Sequence, residues 1–418
     1  MEGSQPVPKN PRKLLHLAQQ VWFTQHYRNR STKPNKIVIK VTRDCNLRCT
    51  YCYVSGGARK ERIAPAMVID FFDQIADGNP RIIDCTFHGG EPLMVGNIIR
   101  EVVDGLEKRP YAPRLQFSLQ TNATLVTEAW VRYFREHRIS VSVSLDGPKA
   151  INDSTRVNLV GRGSFERTMR GIDLLCKAGG VGLICVVTKQ NQDHLIDVLN
   201  LCHEKGIRSL SFLPFFPSGY GAGKEDQLGA DNLEYWERTK QVIDWLIEHN
   251  MRYPDAMIYE REIASIVRNI LIPGNGCYMC ASSPCGAGTR HVGLDVNGDV
   301  YVCDTFYGLT NFVIGNMLTQ SIDEILQNPL VERFQQRSVK TIPKCSACHL
   351  NEWCYGGCPA HNVLFYGEEE GFNRESHMCS WFMQIIPFLK DRFDKQLIDP
   401  NLLSDLPTSS PIVLPASV

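Results

Sequence analysis

The chain has 418 residues, 45 basic against 45 acidic, and 43% of it is hydrophobic. That length holds about two or three domains. The zero net charge removes any electrostatic reason to expect nucleic acid or an anionic membrane as a partner. No apolar run approaches the roughly 18 residues of a membrane span, and the polar N-terminal stretch lacks the apolar core of a secretion signal. The expected location is the cytoplasm.

Residues 1–35 read as an extension with one helix near 11–28. From Lys36 the pattern becomes regular. Apolar, β-rich runs stand at 36–42, 81–87, 114–121, 139–145, 181–187 and 208–213. Amphipathic stretches fall between them near 64–77, 96–107, 127–137, 164–178 and 193–205. Strands that alternate with helices and are apolar along their length form a parallel sheet covered by helices. Six strands fall short of a closed eight-strand barrel. The fold class expected for 36–230 is therefore α/β, a partial (β/α)6 barrel, with its chemistry at the C-terminal ends of the strands.

A Gly-rich polar connection at 216–230 follows, then helices at 231–249 and 258–271. Residues 231–276 read as a helical linker. From Cys277 to about 385 the texture is cysteine, glycine and short strands. The run HVGLDVNGDVYVCD (291–304) alternates on both sides of Asn297-Gly298, a hairpin signature. Residues 386–418 read as the end of a helix and a flexible tail.

In a cytosolic chain, clustered cysteines point to metal rather than disulfides. Eleven of the sixteen cysteines fall into three groups. Cys85, Cys176, Cys185 and Cys202 lie in apolar or amphipathic segments and read as small buried hydrophobes. The first group is CNLRCTYCY: Cys45, Cys49 and Cys52, directly after the first strand. A closed zinc site needs four ligands, so this one is a zinc site completed from elsewhere or an iron–sulfur cluster with one iron left open. The second group is Cys345, Cys348, Cys354 and Cys358-Pro359, with Cys379 further on. The third is Cys280, Cys285 and Cys303. Bacterial ferredoxins end a similar run in C-x3-C-P, whose last cysteine ligates the other cluster. If Cys358 crosses over in that way, two complete sets of four result.

The first group resembles the radical S-adenosylmethionine (SAM) superfamily. In that family the open iron chelates the methionine part of SAM, and a 5′-deoxyadenosyl radical forms and takes a hydrogen atom from the substrate. The later groups resemble the SPASM extension of these enzymes. The resemblance covers about 36–385 and implies three [4Fe–4S] clusters. One is held by Cys45, Cys49 and Cys52. A second is held by Cys280, Cys285, Cys303 and Cys358, with Cys277 a rival to Cys280. The third is held by Cys345, Cys348, Cys354 and Cys379.

Other motifs match the same family. HGGEPL (88–93) offers Gly89 and Gly90 for close backbone approach, Glu91 for the methionine ammonium, and Pro92 to fix the turn. Asn122 follows the third strand and could reach ribose or methionine. Ser144 and Arg156 match residues that hold the SAM carboxylate in sulfatase-maturating relatives, and guanidinium suits a carboxylate. Asp146 is available to cap the next turn. Tyr51 sits where its ring or backbone could meet the adenine.

SPASM enzymes mostly modify peptides. The resemblance therefore implies a maturase of a ribosomally made precursor peptide, served by a flavodoxin- or ferredoxin-type one-electron donor. The expected chemistry is a carbon–carbon, ether or thioether crosslink, or epimerisation. The alternatives are an anaerobic sulfatase-maturating enzyme, which makes formylglycine from Cys or Ser, and a non-catalytic electron carrier. Sulfatase maturases carry glutamine where His88 stands, which favours crosslinking. Asp304, after Cys303, matches their proposed base. Tyr301, Tyr307 and His361 are further candidates to line the peptide site. The extension is too short for a separate leader-binding domain, so recognition is expected from the catalytic domain or the 216–230 connection.

Overall fold

A computed structural model describes residues 33–273, 280 and 282–404. The expectations for a helix at 11–28 and a tail at the C-terminus concern residues 1–32 and 405–418, outside the described residues.

Six parallel strands follow one another in order: β1 (Lys36–Thr42), β2 (Ile83–Gly89), β3 (Leu115–Thr121), β4 (Ser140–Ser144), β5 (Gly182–Val187) and β6 (Ser209–Pro214). Each pairs with its sequence neighbour. The helices between them are α1 (Pro65–Ala76), α2 (Gly96–Glu107), α3 (Glu128–Glu136), α4 (Lys149–Thr155), α5 (Phe165–Cys176) and α6 (Leu195–Lys205). They form for local reasons. Pro65 opens α1, and the Thr127 hydroxyl accepts a hydrogen bond from Trp130 N to cap α3. In α2 the residues Ile98, Ile99, Val102, Val103 and Leu106 fall on one buried face at helical spacing. Cys85, Cys185 and Cys202 are fully buried in the apolar core.

The sheet does not stop at six strands. Beyond β6 it gains a short parallel strand, β7 (Tyr259–Glu260). On the opposite edge it gains the hairpin β8 (His291–Leu294) and β9 (Asp299–Tyr301), then β10 (Val313–Asn316). Strand β8 runs parallel to β1, with Lys36 opposite His291 and Ile39 opposite Leu294. The hairpin is the one expected around Asn297-Gly298. Its pairing with β1 joins the cysteine-rich part to the barrel in one ten-stranded sheet.

Helix α7 (Asn232–Arg252) and α8 (Arg261–Leu271) cover the β6–β7 side. Helix α9 (Pro359–Tyr366) follows Cys358, and α10 (Cys379–Asp394) begins on the last grouped cysteine. Trp381 of α10 donates its Nε1–H to the Thr239 hydroxyl of α7 at 3.0 Å.

A buried ion pair fixes the new edge. Lys40 Nζ on β1 lies 3.0 Å from Asp295 Oδ2, and their side chains are 4% and 1% exposed. Arg43 adds a second cation at 3.1 Å. The Tyr307 hydroxyl donates to Val38 O at 2.7 Å, and Lys40 lies over its ring at 4.0 Å. Burial lowers the Lys40 pKa although Asp295 works to raise it. Removing Asp295 strands a buried cation, which costs about 3–5 kcal/mol. Asp295→Ala is expected to shift thermal unfolding of the purified protein to clearly lower temperature, whereas Asp244→Ala at an exposed position of α7 shifts it little. Equal melting of the two variants would contradict this.

Candidate functional site

The cysteine loop leaves β1 at its C-terminal end. Cys45 is buried, and Cys49 and Cys52 are half-buried. Leu47 N donates to Cys45 Sγ at 3.4 Å, and Gly56 N to Cys52 Sγ at 3.3 Å. Burial pushes the Cys45 and Cys49 thiols up to about 12. Neighbouring thiols add to the effect: Cys49 and Cys52 act on Cys45, and Cys52 acts on Cys49. Three crowded thiols with amide donors at their sulfurs suit a bound metal centre, which supplies the positive charge that lets them ionise.

The loop is held from several sides. Arg48 donates to Cys45 O, Leu47 O and Gly57 O, each at 2.7 Å. Gly90 N donates to Thr42 O at 2.9 Å and Glu91 N to Asp44 O at 2.8 Å. A Cβ on Gly90 would lie 2.0 Å from Asp44 O, and one on Gly89 2.4 Å from Thr42 O. The two glycines are thus required by the approach of the loop's own backbone. The 216–230 connection also binds the loop. Tyr220 N donates to Cys52 O and Lys224 Nζ to Thr50 O, both at 2.9 Å. It straps the cysteine loop down, a role its sequence did not signal.

The residues matched to SAM binding stand on the same face. Glu91 is 1% exposed and accepts from Leu93 N at 3.1 Å, the Thr121 hydroxyl at 2.7 Å and Asn122 N at 2.8 Å. Burial raises its pKa, and these donors oppose the rise. Pro92 opens a single turn, Pro92–Val95. Asn122 Nδ2 donates to Asn46 Oδ1 at 2.8 Å. The Ser144 hydroxyl accepts from Gln120 Nε2 at 2.8 Å. Arg156 Nη1 donates to the Tyr51 hydroxyl at 2.7 Å, while its buried Nε has no partner among the described residues. Tyr51 is 7% exposed, and its hydroxyl donates to Asp146. Its phenol tip is therefore committed to the protein, leaving ring faces and backbone for a ligand. Asp146 is not a helix cap: α4 starts after Pro148 with no side-chain cap. Instead Asp146 accepts from Val186 N and the Thr155 hydroxyl, both at 3.2 Å.

The remaining thiols gather in two sets. Cys280 is pushed up by burial and then by Cys358 and Cys285, and Cys303 by burial, its neighbour Asp304, and then Cys280 and Cys358. Cys354 is pushed up to about 12 by burial, with Cys345, Cys348 and Cys379 adding to it. The structure thus brings together Cys280, Cys285, Cys303 and Cys358, and separately Cys345, Cys348, Cys354 and Cys379. Cys277 lies outside the described residues.

Asp304 stands between the first loop and the Cys303 set. It accepts from His291 Nε2 at 2.6 Å and lies 3.5 Å from Cys303 Sγ. Burial works to raise its pKa, but the His291 hydrogen bond and the charges of His291, His88 and Lys36 hold it well below the usual carboxylate range. The Tyr53 hydroxyl is in reach of Asp304, and Cys52 and Cys303 both act on this buried phenol. Tyr53 and His291 join the site without having been candidates in the sequence. No spacing signal marks them, because β8–β1 pairing alone brings them to Asp304. Nitrogen, sulfur and oxygen donors of His291, Cys303 and Asp304 lie within 4.8 Å of one another.

Aromatic rings continue from Tyr53. It packs edge-on to Phe216 with centroids 5.5 Å apart, and Phe216 stacks on His361 at 4.6 Å. Burial holds His361 down at about 4. Tyr301 and Tyr307 are 3% and 2% exposed and serve packing.

Comparison with known proteins agrees with this geometry. Residues 39–217 match the radical SAM superfamily and residues 285–349 match SPASM, an iron–sulfur cluster-binding domain. The chain is 27% identical to the serine-type anaerobic sulfatase-maturating enzyme of Bacteroides thetaiotaomicron, across 90% of this chain and 96% of that protein. It is also 27% identical to mycofactocin maturase MftC of Mycolicibacterium smegmatis, across 86% and 83%. Its fold superposes on anSMEcpe, solved with bound AdoMet and Cp18Cys peptide, with a TM-score of 0.73, 22% identity and coverage of 87% and 98%. Barrel, thiol sets and matches converge: the chain is a radical SAM enzyme that carries a SPASM domain.

Proposed function

We propose that this enzyme oxidises a side chain within a peptide segment, with Asp304 receiving the proton that the substrate loses. The observation that carries the reading is the position of Asp304: its carboxylate is fixed by His291 at 2.6 Å, lies 3.5 Å from Cys303 Sγ, and has the Tyr53 hydroxyl of the cysteine loop in reach. An ionised carboxylate can take up a proton, although the His291 hydrogen bond weakens Asp304 as a base.

The donor groups fit the cofactors of this family. Cys45, Cys49 and Cys52 would hold one [4Fe–4S] cluster with an open iron. Cys280, Cys285, Cys303 and Cys358 would hold a second, and Cys345, Cys348, Cys354 and Cys379 a third. Glu91 has a remaining lone pair for an ammonium, and the unpartnered Nε of Arg156 suits an anionic group. Asn122 and Ser144 would complete the cradle, with the backbone or ring of Tyr51 beside the adenine. When bound, SAM and the cluster would supply one-electron cleavage of a sulfonium and abstraction of a substrate hydrogen atom, and the cluster that Cys280, Cys285, Cys303 and Cys358 would hold would take up the electron left once Asp304 has the proton. The chain's own work is placement. Arg156, locked to Tyr51, cannot swing away, and the Tyr53–Phe216–His361 wall shields the site and offers ring faces to a peptide.

For the target, the relatives named as sulfatase-maturating enzymes support oxidation of Cys or Ser to formylglycine as the first reading. It takes precedence over the crosslink that the motif texture favoured. The crosslink stays as the second reading on one observation: His88 stands beside Tyr53, rings 5.9 Å apart, where a sulfatase maturase is expected to carry glutamine. Peptide products decide between them. Formylglycine is captured by a hydrazide reagent, whereas a crosslink loses two hydrogens and leaves no aldehyde. The first reading predicts hydrazide capture.

Asp304→Asn keeps the shape and removes the charge. With reductant, SAM and peptide it is expected to form 5′-deoxyadenosine within a few-fold of wild type, while modified peptide falls about 100-fold or more. Wild-type product yield from Asp304→Asn would overturn the proposed role.

A further inference from the structure

We propose that the exposed rim over the cysteine loop is the docking surface for an acidic one-electron carrier protein. The premise is the reading above, that Cys45, Cys49 and Cys52 hold a reducible metal centre.

Two exposed segments flank that loop, and both are bonded to it. On one side is the turn 157–163. Leu47 and Asn158 form an antiparallel bridge, Arg48 N donates to Val157 O at 2.7 Å, and Thr50 N to Thr155 O at 3.0 Å. The tip of this turn presents Leu159 and Val160, 67% and 74% exposed. Asn158 Oδ1 fixes the tip by accepting from Val160 N at 3.0 Å and Arg162 N at 2.9 Å. Neighbouring aliphatic side chains are thus held out in water by a built turn, on the cover of a thiol cluster.

On the other side is 57–62, tied in by Arg48 to Gly57 O at 2.7 Å and by Arg43 N to Glu61 O at 3.0 Å. Arg59, Lys60 and Arg62 are all exposed. Glu61 lies 3.8 Å from Arg59 and 3.5 Å from Arg43. Lys60 and Arg62 enter no ion pair among the described residues. Arg162 is exposed at the foot of the opposite turn. In a chain of zero net charge, this local excess of cations is where a negative partner is attracted.

The chemistry of the partner follows. The premise requires electrons from outside the chain. Transient redox encounters bury little area, need an apolar centre with a charged rim, and are steered by complementary charge. Leu159 and Val160 supply the centre, and Arg59, Lys60, Arg62 and Arg162 the rim. In each encounter the reduced carrier gives up one electron to the metal centre and departs one-electron oxidised. No bond or proton moves.

The test compares wild type with the double variant Lys60→Glu/Arg62→Glu and with Val160→Asp, all loaded and full length. Binding of an acidic flavodoxin at low salt, read by calorimetry, is expected to weaken about tenfold or more in the double variant. Flavodoxin-driven formation of 5′-deoxyadenosine should fall with it and lose its salt dependence. Dithionite-driven formation should stay at the wild-type rate. Unchanged flavodoxin binding would overturn the proposal. So would a loss confined to peptide turnover under dithionite, which would assign the rim to the substrate. Wild-type protein that forms no 5′-deoxyadenosine with dithionite would refute the premise instead.

Discussion

The site depends on one long-range contact, the docking of the 291–301 hairpin against β1. Lys40 and Asp295, buried 3.0 Å apart, hold it, with Arg43 and the Tyr307 ring around them. Two buried charges cost desolvation energy that only close pairing offsets, so neither tolerates a shift of register. Register matters because side chains alternate along a strand. Strand β8 runs parallel to β1 and β9 antiparallel to β8, so the chain emerging from β9 brings Cys303 and Asp304 back beside His291, at the Lys36 end of the pair, and the Tyr53 hydroxyl of the cysteine loop reaches Asp304 there. Two regions far apart in sequence are thus bridged by Tyr53.

The first thiol group is built under compression. The loop passes so close to β2 that no side chain fits at Gly89 or Gly90, and the 216–230 strap presses on it from above. Burial pushes two of its thiols up to about 12, although Arg156 opposes the rise at Cys49. The buried guanidinium of Arg156, paired to Tyr51 and Asp146, meets the same face from the β4 side.

Much of this was legible in the sequence. The six barrel strands emerge within about two residues of their apolar runs, since period and composition mark them locally. The division of eight thiols into two sets follows spacing and the crossing of Cys358. What escaped was long-range. Strand β7 has two residues and no pattern of its own. The pairing of β8 with β1 depends on partners some 250 residues apart, as in the bond from Lys40 to Asp295. Tyr51 and Asp146 read as a ligand contact and a cap, yet they bond each other, because burial leaves each polar group to find a partner inside. The 216–230 stretch reads as a Gly-rich polar connection and a candidate for leader recognition, and its donation from Tyr220 N and Lys224 Nζ to carbonyls of the cysteine loop appears only once both are folded.

The central claim is that one thiol set is left open beside two that are closed. Iron and acid-labile sulfide in anaerobically reconstituted protein test it most directly. Three cubane clusters require about 12 of each per chain, and a Cys45→Ala/Cys49→Ala/Cys52→Ala variant should retain about 8. A wild-type value near four, or zinc in place of iron, would contradict the account.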